Sequence, residues 1–279
     1  MARSTLIINT LLAMTAFAAN SLLCRAALNT TNIDPASFTS IRLLSGAAVL
    51  YVIFKFKTKT SAVKGNPRSA AALFIYAACF SFAYGDLTTA TGALLLFGAV
   101  QTTMIGYGLW RGERLNSRQW LGVITAIIGL FVLMFPGLRP PPAAASVLMI
   151  ISGVAWGAYS LRARGVQDPS AETAGNFLRT APMTIVLSAL CLPLFQWDAA
   201  GIALAVLSGA VASGLGYTLW YAVLPHIAAT RAATVQLSAP VIASLMGVVF
   251  LQEALTWNLG VATLMVISGV WLVLHAKRQ

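Results

Sequence analysis

The stretch Gly112-Glu113-Arg114-Leu115-Asn116 separates two long apolar runs, and its pattern returns later in the chain. At an ungapped offset of 140 positions, Gln252-Glu253-Ala254-Leu255-Thr256 again precedes an apolar run, which begins at Trp257. In this register the two glutamates align, and Gly129 aligns with Gly269 in the runs that follow. A resemblance at one fixed spacing over this length indicates an internal duplication.

The composition places this duplication in a membrane. Hydrophobic residues make up 58% of the 279 positions and charged residues only 9%, and the mean hydropathy is +0.81. A soluble domain carries about 25% charged residues. A helix needs about 20 apolar residues to cross a bilayer, whereas a barrel strand needs only about 10. The chain contains ten apolar segments of the longer kind, at 5–24, 35–54, 69–87, 88–110, 117–135, 144–163, 173–195, 200–224, 228–251 and 257–274.

Lysines and arginines are distributed unevenly over the connections between these segments. They cluster at 55–68, at 111–118 and at both termini, whereas the connections on the other side hold only Arg25 and Arg139. Cytoplasmic loops of membrane proteins carry the excess of basic residues. Both termini are therefore expected in the cytoplasm, and the net charge of +11 needs no nucleic-acid partner to explain it.

The predicted units, residues 1–139 and residues 140–279, contain five segments each. Because five is odd, the second unit enters the membrane upside down relative to the first. We therefore predict an all-α polytopic membrane protein of ten transmembrane helices, arranged as a 5+5 inverted-topology repeat. Inverted repeats are typical of secondary transporters, whose substrate site lies between the repeats near the midplane. Glu113 and Glu253 then lie on opposite sides of the membrane as separate turn residues. Each precedes a helix whose dipole favours a negative charge, and Asn116 or Thr256 caps the first turn of that helix.

The first apolar segment has a second interpretation. Arg3, the apolar run from Leu6 and the small residues around Ala16-Phe17-Ala18 resemble a signal peptide with its cleavage site. The apolar run continues beyond that site to Cys24. Cleavage would also remove the counterpart of the first helix of the second unit, so we favour a membrane helix.

Three motifs connect the chain with a known family. Glu113-Arg114-Leu115-Asn116 precedes a glycine-containing helix, Trp156-Gly157-Ala158-Tyr159 lies in the sixth segment, and the run 236–241 leads to 251–256. The chain thereby resembles the drug/metabolite transporter superfamily, with two EamA-type domains over its whole length. The resemblance implies ten helices, cytoplasmic termini and export of small metabolites. Length and helix count are most similar to amino-acid exporters, including the YddG-type aromatic amino-acid exporters, although Phe17 stands where tryptophan is common.

The resemblance also implies a central cavity lined by the first, third, fourth, sixth, eighth and ninth helices. Amide groups are able to bind the ammonium and carboxylate of an amino acid, and aromatic faces attract an ammonium. For any single residue, an interhelical packing role is the alternative. The substrate-binding candidates on these helices are Asn20, Tyr76, Tyr84, Gln101, Trp156, Tyr159, Tyr217 and Gln236.

Arginines inside the segments have two interpretations. Arg42 and Arg179 occupy corresponding positions in the second and seventh segments, roughly 10 Å deep at 1.5 Å per residue. Either is able to attract a substrate carboxylate. We favour side chains that snorkel to the interface or cap carbonyls of a neighbouring helix, as also for Arg231 near a helix end. Since no acidic residue falls at the midplane, facilitated transport is favoured over proton antiport.

Two prolines fall inside predicted helices. Proline lacks an N–H group and bends a helix, so we expect bends at Pro182 and Pro240. Pro240 removes the partner of the Gln236 carbonyl and is the predicted hinge, with a kink that serves only packing as the alternative. Tryptophans at the ends of segments are expected at the membrane interface: Trp110, Trp120, Trp197 and Trp257.

No enzyme signature occurs in the sequence. It lacks a phosphate-binding loop, a nucleophile elbow and a metal-ligand cluster, and its cysteines are expected to be buried small side chains: Cys24, Cys79 and Cys191. We predict a monomer in the lipid bilayer of a bacterial-type inner membrane, with a small-molecule substrate and no cofactor, metal or nucleic acid. It exports amino acids, aromatic or otherwise apolar, or similar metabolites by alternating access. Drug or cation efflux, efflux of another metabolite, and a non-transporting scaffold subunit are the alternatives.

Overall fold

Seven of the ten predicted segments correspond to one α-helix each, whereas the seventh, eighth and ninth segments each contain two. The structure is a computed structural model that describes residues 1–57, 63–87, 89–135, 142–251 and 256–276. These residues contain no β-strand, which confirms the all-α prediction for them. Glu253, Arg139 and the boundary between the predicted units lie outside the described residues. The α-helices are α1 (Arg3–Thr30), α2 (Pro35–Lys57), α3 (Pro67–Tyr84), α4 (Thr89–Trp110), α5 (Ser117–Met134), α6 (Ala143–Arg162), α7 (Pro169–Leu178), α8 (Ala181–Leu190), α9 (Ala199–Leu207), α10 (Gly216–Val223), α11 (Ala229–Gln236), α12 (Ser238–Leu251) and α13 (Trp257–His275).

The outer surface of the bundle is apolar. Large side chains such as Leu11, Phe131 and Leu264 are exposed on it. Such a surface is unfavourable in water and indicates contact with lipid. The tryptophans expected at the interface are exposed near helix ends: Trp110, Trp120, Trp197 and Trp257. Within the described residues, six stretches are helical, long and apolar enough to cross a membrane: Arg3–Thr30, Pro35–Phe56, Gly92–Trp110, Ala143–Arg162, Ala199–His226 and Trp257–His275.

Both prolines singled out in the sequence interrupt a helix. The helix α7 ends at Leu178, four residues before Pro182, and α11 ends at Gln236, four residues before Pro240. A proline ring clashes with the carbonyl of residue i−4 and offers it no N–H group, so a regular helix cannot continue. The next helices, α8 and α12, follow after breaks of one or two residues. The helices are therefore interrupted at both positions where bends were predicted.

A π-helix, Ser208–Leu215, connects α9 with α10. Its small residues allow a close approach to α2, because a Cβ atom on Gly209 would collide with the backbone carbonyl of Arg42. Single π turns are rare and occur frequently at functional sites. This segment brings Ser213 to the centre of the bundle.

The capping predicted at the two repeated turns is confirmed. The side chain of Asn116 accepts a hydrogen bond from Gln119 N at 3.0 Å, and Gln119 Oε1 accepts one from Asn116 N at 3.0 Å. Thr256 Oγ1 accepts a hydrogen bond from Leu259 N at 3.3 Å. Each cap satisfies otherwise unpaired N–H groups at the first turn of a helix and contributes about 1 kcal/mol.

The helices α5 and α13, which the sequence repeat aligns, pack through small residues. A Cβ atom on Gly122 would lie 2.6 Å from the carbonyl oxygen of Gly269, and one on Gly129 would lie 3.2 Å from that of Ala262. Moving forward along α5 therefore means moving back along α13, so the two helices are antiparallel. At the offset of 140 positions Gly129 aligns with Gly269, and Gly122 aligns with Ala262. The contact of Gly122 with Gly269 and the contact of Gly129 with Ala262 are therefore equivalent: replacing each residue by the one aligned with it turns one contact into the other.

The first helix of each predicted unit packs against the other unit. The helix α1 contacts α9, the π-helix, α10 and α12, whereas α6 contacts α3 and α4. The helices that carry most of the candidate residues therefore meet at the junction of the two halves. This junction is the core of the molecule.

Candidate substrate site

Five aromatic side chains form a cluster at the junction of α1, α3, α6 and α10. The ring centroids of Tyr76 and Trp156 are 4.8 Å apart, those of Trp156 and Tyr217 4.7 Å, and those of Phe17 and Trp156 5.1 Å. Tyr159 joins through Trp156, with 5.7 Å between centroids. These distances lie in the favourable range for aromatic pairs. The aromatic cluster (Phe17, Tyr76, Trp156, Tyr159 and Tyr217) combines rings from both halves.

Arg42 lies against this cluster and is completely buried, with 0% of its surface exposed. Its Nε donates a hydrogen bond to Ser213 Oγ at 2.9 Å, and its Nη2 donates to Tyr217 OH at 2.6 Å and Tyr76 OH at 3.3 Å. The guanidinium carbon stands 5.4 Å from the centroid of the Tyr76 ring and 5.7 Å from that of Phe80. The prediction that Arg42 snorkels or caps carbonyls is therefore wrong.

The packing of α2 explains this difference. The helix is covered by α3, α7, α8, α9 and the π-helix, so the side chain of Arg42 has no path to the surface. Buried guanidinium groups need hydrogen-bond acceptors, and three hydroxyl groups supply them at this position. The sequence signal was an arginine within an apolar segment, and an intramembrane charge marks a functional candidate by default.

The charge of Arg42 has no carboxylate partner within the described part of the chain. Acidic side chains there lie at helix ends or in connections: Asp34, Asp86, Glu113, Asp168, Glu172 and Asp198. Taking a single ion out of water costs several kcal/mol. Hydroxyl dipoles and aromatic faces offset part of this cost, and Nη1 of Arg42 has no hydrogen-bond partner. The centre of the molecule therefore holds an unneutralised positive charge.

Asn20 is connected to Arg42 through the π-helix. Its Oδ1 accepts hydrogen bonds from Ser208 Oγ and, at 3.4 Å, from Ser213 Oγ. Ser213 is also an acceptor for Arg42. Asn20 is thus part of one polar network with the arginine and the tyrosine hydroxyls.

Two glutamines bind the ninth predicted segment to its neighbours. Trp156 Nε1 donates to Gln236 Oε1 at 2.6 Å, which places Gln236 beside the aromatic cluster. Gln101 Nε2 donates to the carbonyl of Ala233 at 2.7 Å, on the preceding turn. Both glutamines are buried, so they hold α4, α6 and α11 together at the edge of the cluster.

A cavity of about 80 Å³ lies on one side of the cluster. It is lined by Ser21 and Arg25 of α1, Tyr84 of α3, and Pro240 and Ser244 of α12. The Tyr84 ring packs edge-on against Phe80, with 4.7 Å between centroids, and Phe80 in turn lies under Arg42. Tyr84 and Phe80 therefore separate the cavity from the buried charge.

On the other side of the cluster lies the basic end of the bundle, which carries Arg111, Arg114 and Arg164, and there the α4–α5, α6–α7 and α10–α11 connections meet. Glu113 accepts hydrogen bonds from Ala229 N at 2.9 Å, Thr230 N at 3.1 Å and Thr230 Oγ1 at 3.0 Å. Arg164 Nη1 lies 3.3 Å from Glu113 Oε1. Partial burial opposes ionisation, but the hydrogen bonds from Ala229 and Thr230 and the charge of Arg164 outweigh it and lower the pKa of Glu113.

Glu113 therefore acts on a different helix from the predicted one. It was expected to stabilise the start of α5, but it caps the N-terminus of α11 in the other half of the chain. Unpaired N–H groups and the helix dipole make that terminus a favourable position for a carboxylate. Sequence order offers no indication of this contact, because Glu113 and Ala229 are 116 positions apart.

Arg179 and Arg231 agree with the capping interpretation. Arg179 is exposed, and its Nη1 donates to the carbonyls of Lys64 and Gly175. Arg231 Nη2 donates to the carbonyl of Ala276 at 3.0 Å. These arginines hold helix ends and connections together and lie outside the central site.

The structure brings most of the predicted binding residues together. The residues in or directly bonded to the central network are Asn20, Tyr76, Trp156, Tyr159, Tyr217 and Gln236. Gln101 lies at the edge of the cluster on the backbone of α11, and Tyr84 lines the cavity. Ser213, Phe80 and Arg42 also belong to this network or contact it, and they were not among the predicted binding residues.

No group of three or more His, Cys, Asp or Glu side chains suited to a metal occurs within the five described stretches. Cys24 is buried, whereas Cys79 and Cys191 are only half-buried, and all three are free thiols. All three were predicted to be buried small side chains, and the structure confirms this for Cys24 alone.

Known proteins share this architecture. The EamA-like transporter family matches the chain twice, at residues 4–135 and 143–275. A Pseudomonas aeruginosa protein, "Uncharacterized protein PA1977", is 50% identical over 99% of this chain and 96% of its own length. Two Bacillus subtilis relatives are "Uncharacterized transporter YwfM", 26% identical over 91% of this chain and 88% of its own length, and "Uncharacterized transporter YoaV", 22% identical over 86% and 87%. One solved protein structure has a TM-score of 0.83 over 100% of both chains at 17% identity, a likeness in fold alone.

Proposed function

Since the chain belongs to the EamA-like transporter family, we propose that it exports amino acids, aromatic or otherwise apolar, or similar small metabolites by alternating access. Family membership makes it a multi-pass membrane protein and a transporter of small molecules. The proposal adds the direction, the substrate class and the mechanism. We place the protein as a monomer in the inner membrane of a bacterial-type cell.

The proposed architecture is a ten-crossing inverted repeat of residues 1–139 and 140–279, with both termini in the cytoplasm. The antiparallel packing of α5 against α13 supports it, because aligned helices of an inverted repeat run in opposite directions. The exchange of first helices between the halves supports it as well. In this topology the basic end faces the cytoplasm.

One observation carries the proposal: the aromatic cluster and Arg42 lie between the two halves, with a cavity on one side and the contacts of Glu113 on the other. Alternating access requires a central site that is sealed from one side at a time. The seal at the basic end consists of Glu113 with Ala229, Thr230 and Arg164. This arrangement corresponds to a state closed toward the cytoplasm.

Facilitated transport is the proposed mode of energy coupling. Acidic groups in the described part of the chain lie at helix ends or in connections, so the central site lacks a carboxylate to carry a proton. Uphill substrate movement driven by a pH gradient in proteoliposomes would contradict this mode. Drug or cation efflux is disfavoured by the positive charge of Arg42 at the centre, and a scaffold role does not explain the polar network there.

A counterflow screen tests the proposal. We expect purified protein in proteoliposomes to exchange labelled amino acids, and absence of exchange for every amino acid and related metabolite tested would contradict transport of this class. Trp156→Ala should lower the rate about tenfold or more, because aromatic anchors at the centre of a binding site contribute most of its affinity. Trp197→Ala is the matched control, since Trp197 is 75% exposed and lies outside the cluster.

A further inference from the structure

We propose that the guanidinium of Arg42 binds a carboxylate of the transported substrate, so that the transporter selects carboxylates. The inference rests on the proposed transport function and specifies its chemistry. Arg42 combines complete burial, a free donor and the absence of an ion pair in the described part of the chain. Arginine keeps its charge in proteins and presents a planar fork of donors that matches the geometry of a carboxylate.

The present hydrogen bonds of Arg42 leave donor capacity for such a ligand. Its Nη1 has no partner, and its bond to Tyr76 OH is long, at 3.3 Å. A carboxylate at Nη1 and Nη2 would replace the long bond from Nη2 to Tyr76 OH, accept two charge-assisted hydrogen bonds and neutralise the buried charge. Nε would keep its bond to Ser213 Oγ, which fixes the orientation of the fork.

The tyrosine hydroxyls supply a further donor. Both Tyr76 OH and Tyr217 OH accept from Arg42, and they share one hydrogen bond of 3.1 Å with each other. Two hydroxyl groups carry two protons, and the shared bond uses one of them. The second proton, on Tyr76, is left to donate to a carboxylate oxygen, so Tyr76 would exchange its bond from Arg42 for a bond to the ligand.

The surroundings indicate which molecule carries this carboxylate. The rings of Trp156 and Phe17 offer apolar faces next to the polar group, which suits an aromatic or aliphatic side chain. The same faces attract an ammonium group. The best-matched substrate is therefore a monocarboxylate with an apolar side chain, and the carboxylate is the feature that is required.

The site lies at the place where binding can influence both halves. The hydroxyl partners of Arg42 come from α3 in the first half and from the π-helix and α10 in the second half. Tyr84 and Phe80 stand between it and the cavity. We therefore assign the cavity as the substrate route, with a movement of these two rings opening it.

Competition against counterflow of labelled phenylalanine tests the inference on the wild-type protein. Phenylpropionate keeps the carboxylate and lacks the ammonium, whereas phenylalaninamide keeps the ammonium and lacks the carboxylate. We expect phenylpropionate to compete at a concentration at least about tenfold lower than phenylalaninamide, since a buried charge pair carries most of the affinity of such a site. Leucine with its deaminated and amide analogues serves in the same way if phenylalanine is not exchanged.

Variants make the assignment specific. Arg42→Gln should abolish the preference for the carboxylate, and Arg42→Lys, which keeps the charge without the fork, should retain part of it. Arg179→Gln, at the corresponding position of the other half, should keep the wild-type preference. Equal competition by the two analogues, or an unchanged preference in Arg42→Gln, would overturn the inference while leaving transport intact. Absence of exchange with both substrates would instead contradict the proposed function for these amino acids and the inference with it, and the wild-type result stands even if Arg42→Gln fails to fold.

Discussion

Arg42 and Arg179 occupy corresponding positions of the duplicated sequence but have opposite surroundings. Arg42 is completely buried among hydroxyl groups and aromatic rings, whereas Arg179 is exposed and caps backbone carbonyls at the basic end. The difference arises from the neighbouring chain. The helix α2 continues unbroken around Arg42, while Pro182 ends α7 at Leu178 and leaves Arg179 in a short break at the rim.

The comparison shows how a duplicated unit can acquire one site rather than two. The two arginines align in the sequence, but only Arg42 is surrounded by side chains from the other half of the chain. A charge in the dry centre costs free energy unless a partner neutralises it, and a charge at the wet rim costs little. The centre is therefore the position at which a ligand changes the energy most.

Charge reversal should separate the two positions most strongly. Arg42→Glu would bury a carboxylate beside two rings and remove the donor to Ser213, so we expect a loss of about 3–5 kcal/mol and little folded protein. Arg179→Glu should remain folded, because water can solvate the new charge. Thermal melting and gel filtration in detergent measure both. A melting temperature of Arg42→Glu close to that of the wild type would show that the centre is wetter than the structure indicates.

The next effect concerns Glu113 at the rim. Glu113→Gln keeps the shape but removes the charge that caps α11 and faces Arg164, and we expect a loss of about 1 kcal/mol after allowance for partial exposure. Because the pKa of Glu113 is lowered from 4.5, its contribution is complete above pH 4.5 and is lost as the pH falls through the lowered pKa. Thermal melting from pH 7 to pH 3 should show a component that Glu113→Gln lacks. Identical acid profiles of the two proteins would exclude this role.

The smallest expected effect is a difference in counterflow rate between substitutions at the two prolines. Pro240→Ala restores an N–H group next to Gln236 and the aromatic cluster, and it should slow counterflow two- to fivefold, which corresponds to about 0.5–1 kcal/mol. Pro182→Ala acts beside Arg179 at the rim and should leave the rate unchanged. Wild-type counterflow rates in Pro240→Ala would contradict the hinge hypothesis, and the helix break at Pro240 would then serve packing alone.

Much of the fold was predictable because its signals are local. Apolar runs of sufficient length placed the helices, Pro182 and Pro240 placed the breaks, and Asn116 and Thr256 placed two caps. The candidate site was also partly predictable. Few polar and aromatic residues lie within the apolar segments. The family resemblance indicated which helices line the cavity, and most of the candidates on those helices lie together in the structure. The environment of Arg42 was not predictable, since depth along a helix does not indicate the direction in which a side chain points.

The sequence by itself determined that this protein is a duplicated bundle of apolar helices, because periodicity, breakers and charge clusters act on neighbouring residues. Only the tertiary structure decided which side chains share the centre. Arg42 and Tyr217 are 175 positions apart, and Asn20 and Ser208 are 188 apart. Such contacts depend on the packing of whole helices, through the small residues of the π-helix and the antiparallel pairing of the two halves. Because of that packing, Arg42 is buried while Arg179, which aligns with it in the sequence, is exposed.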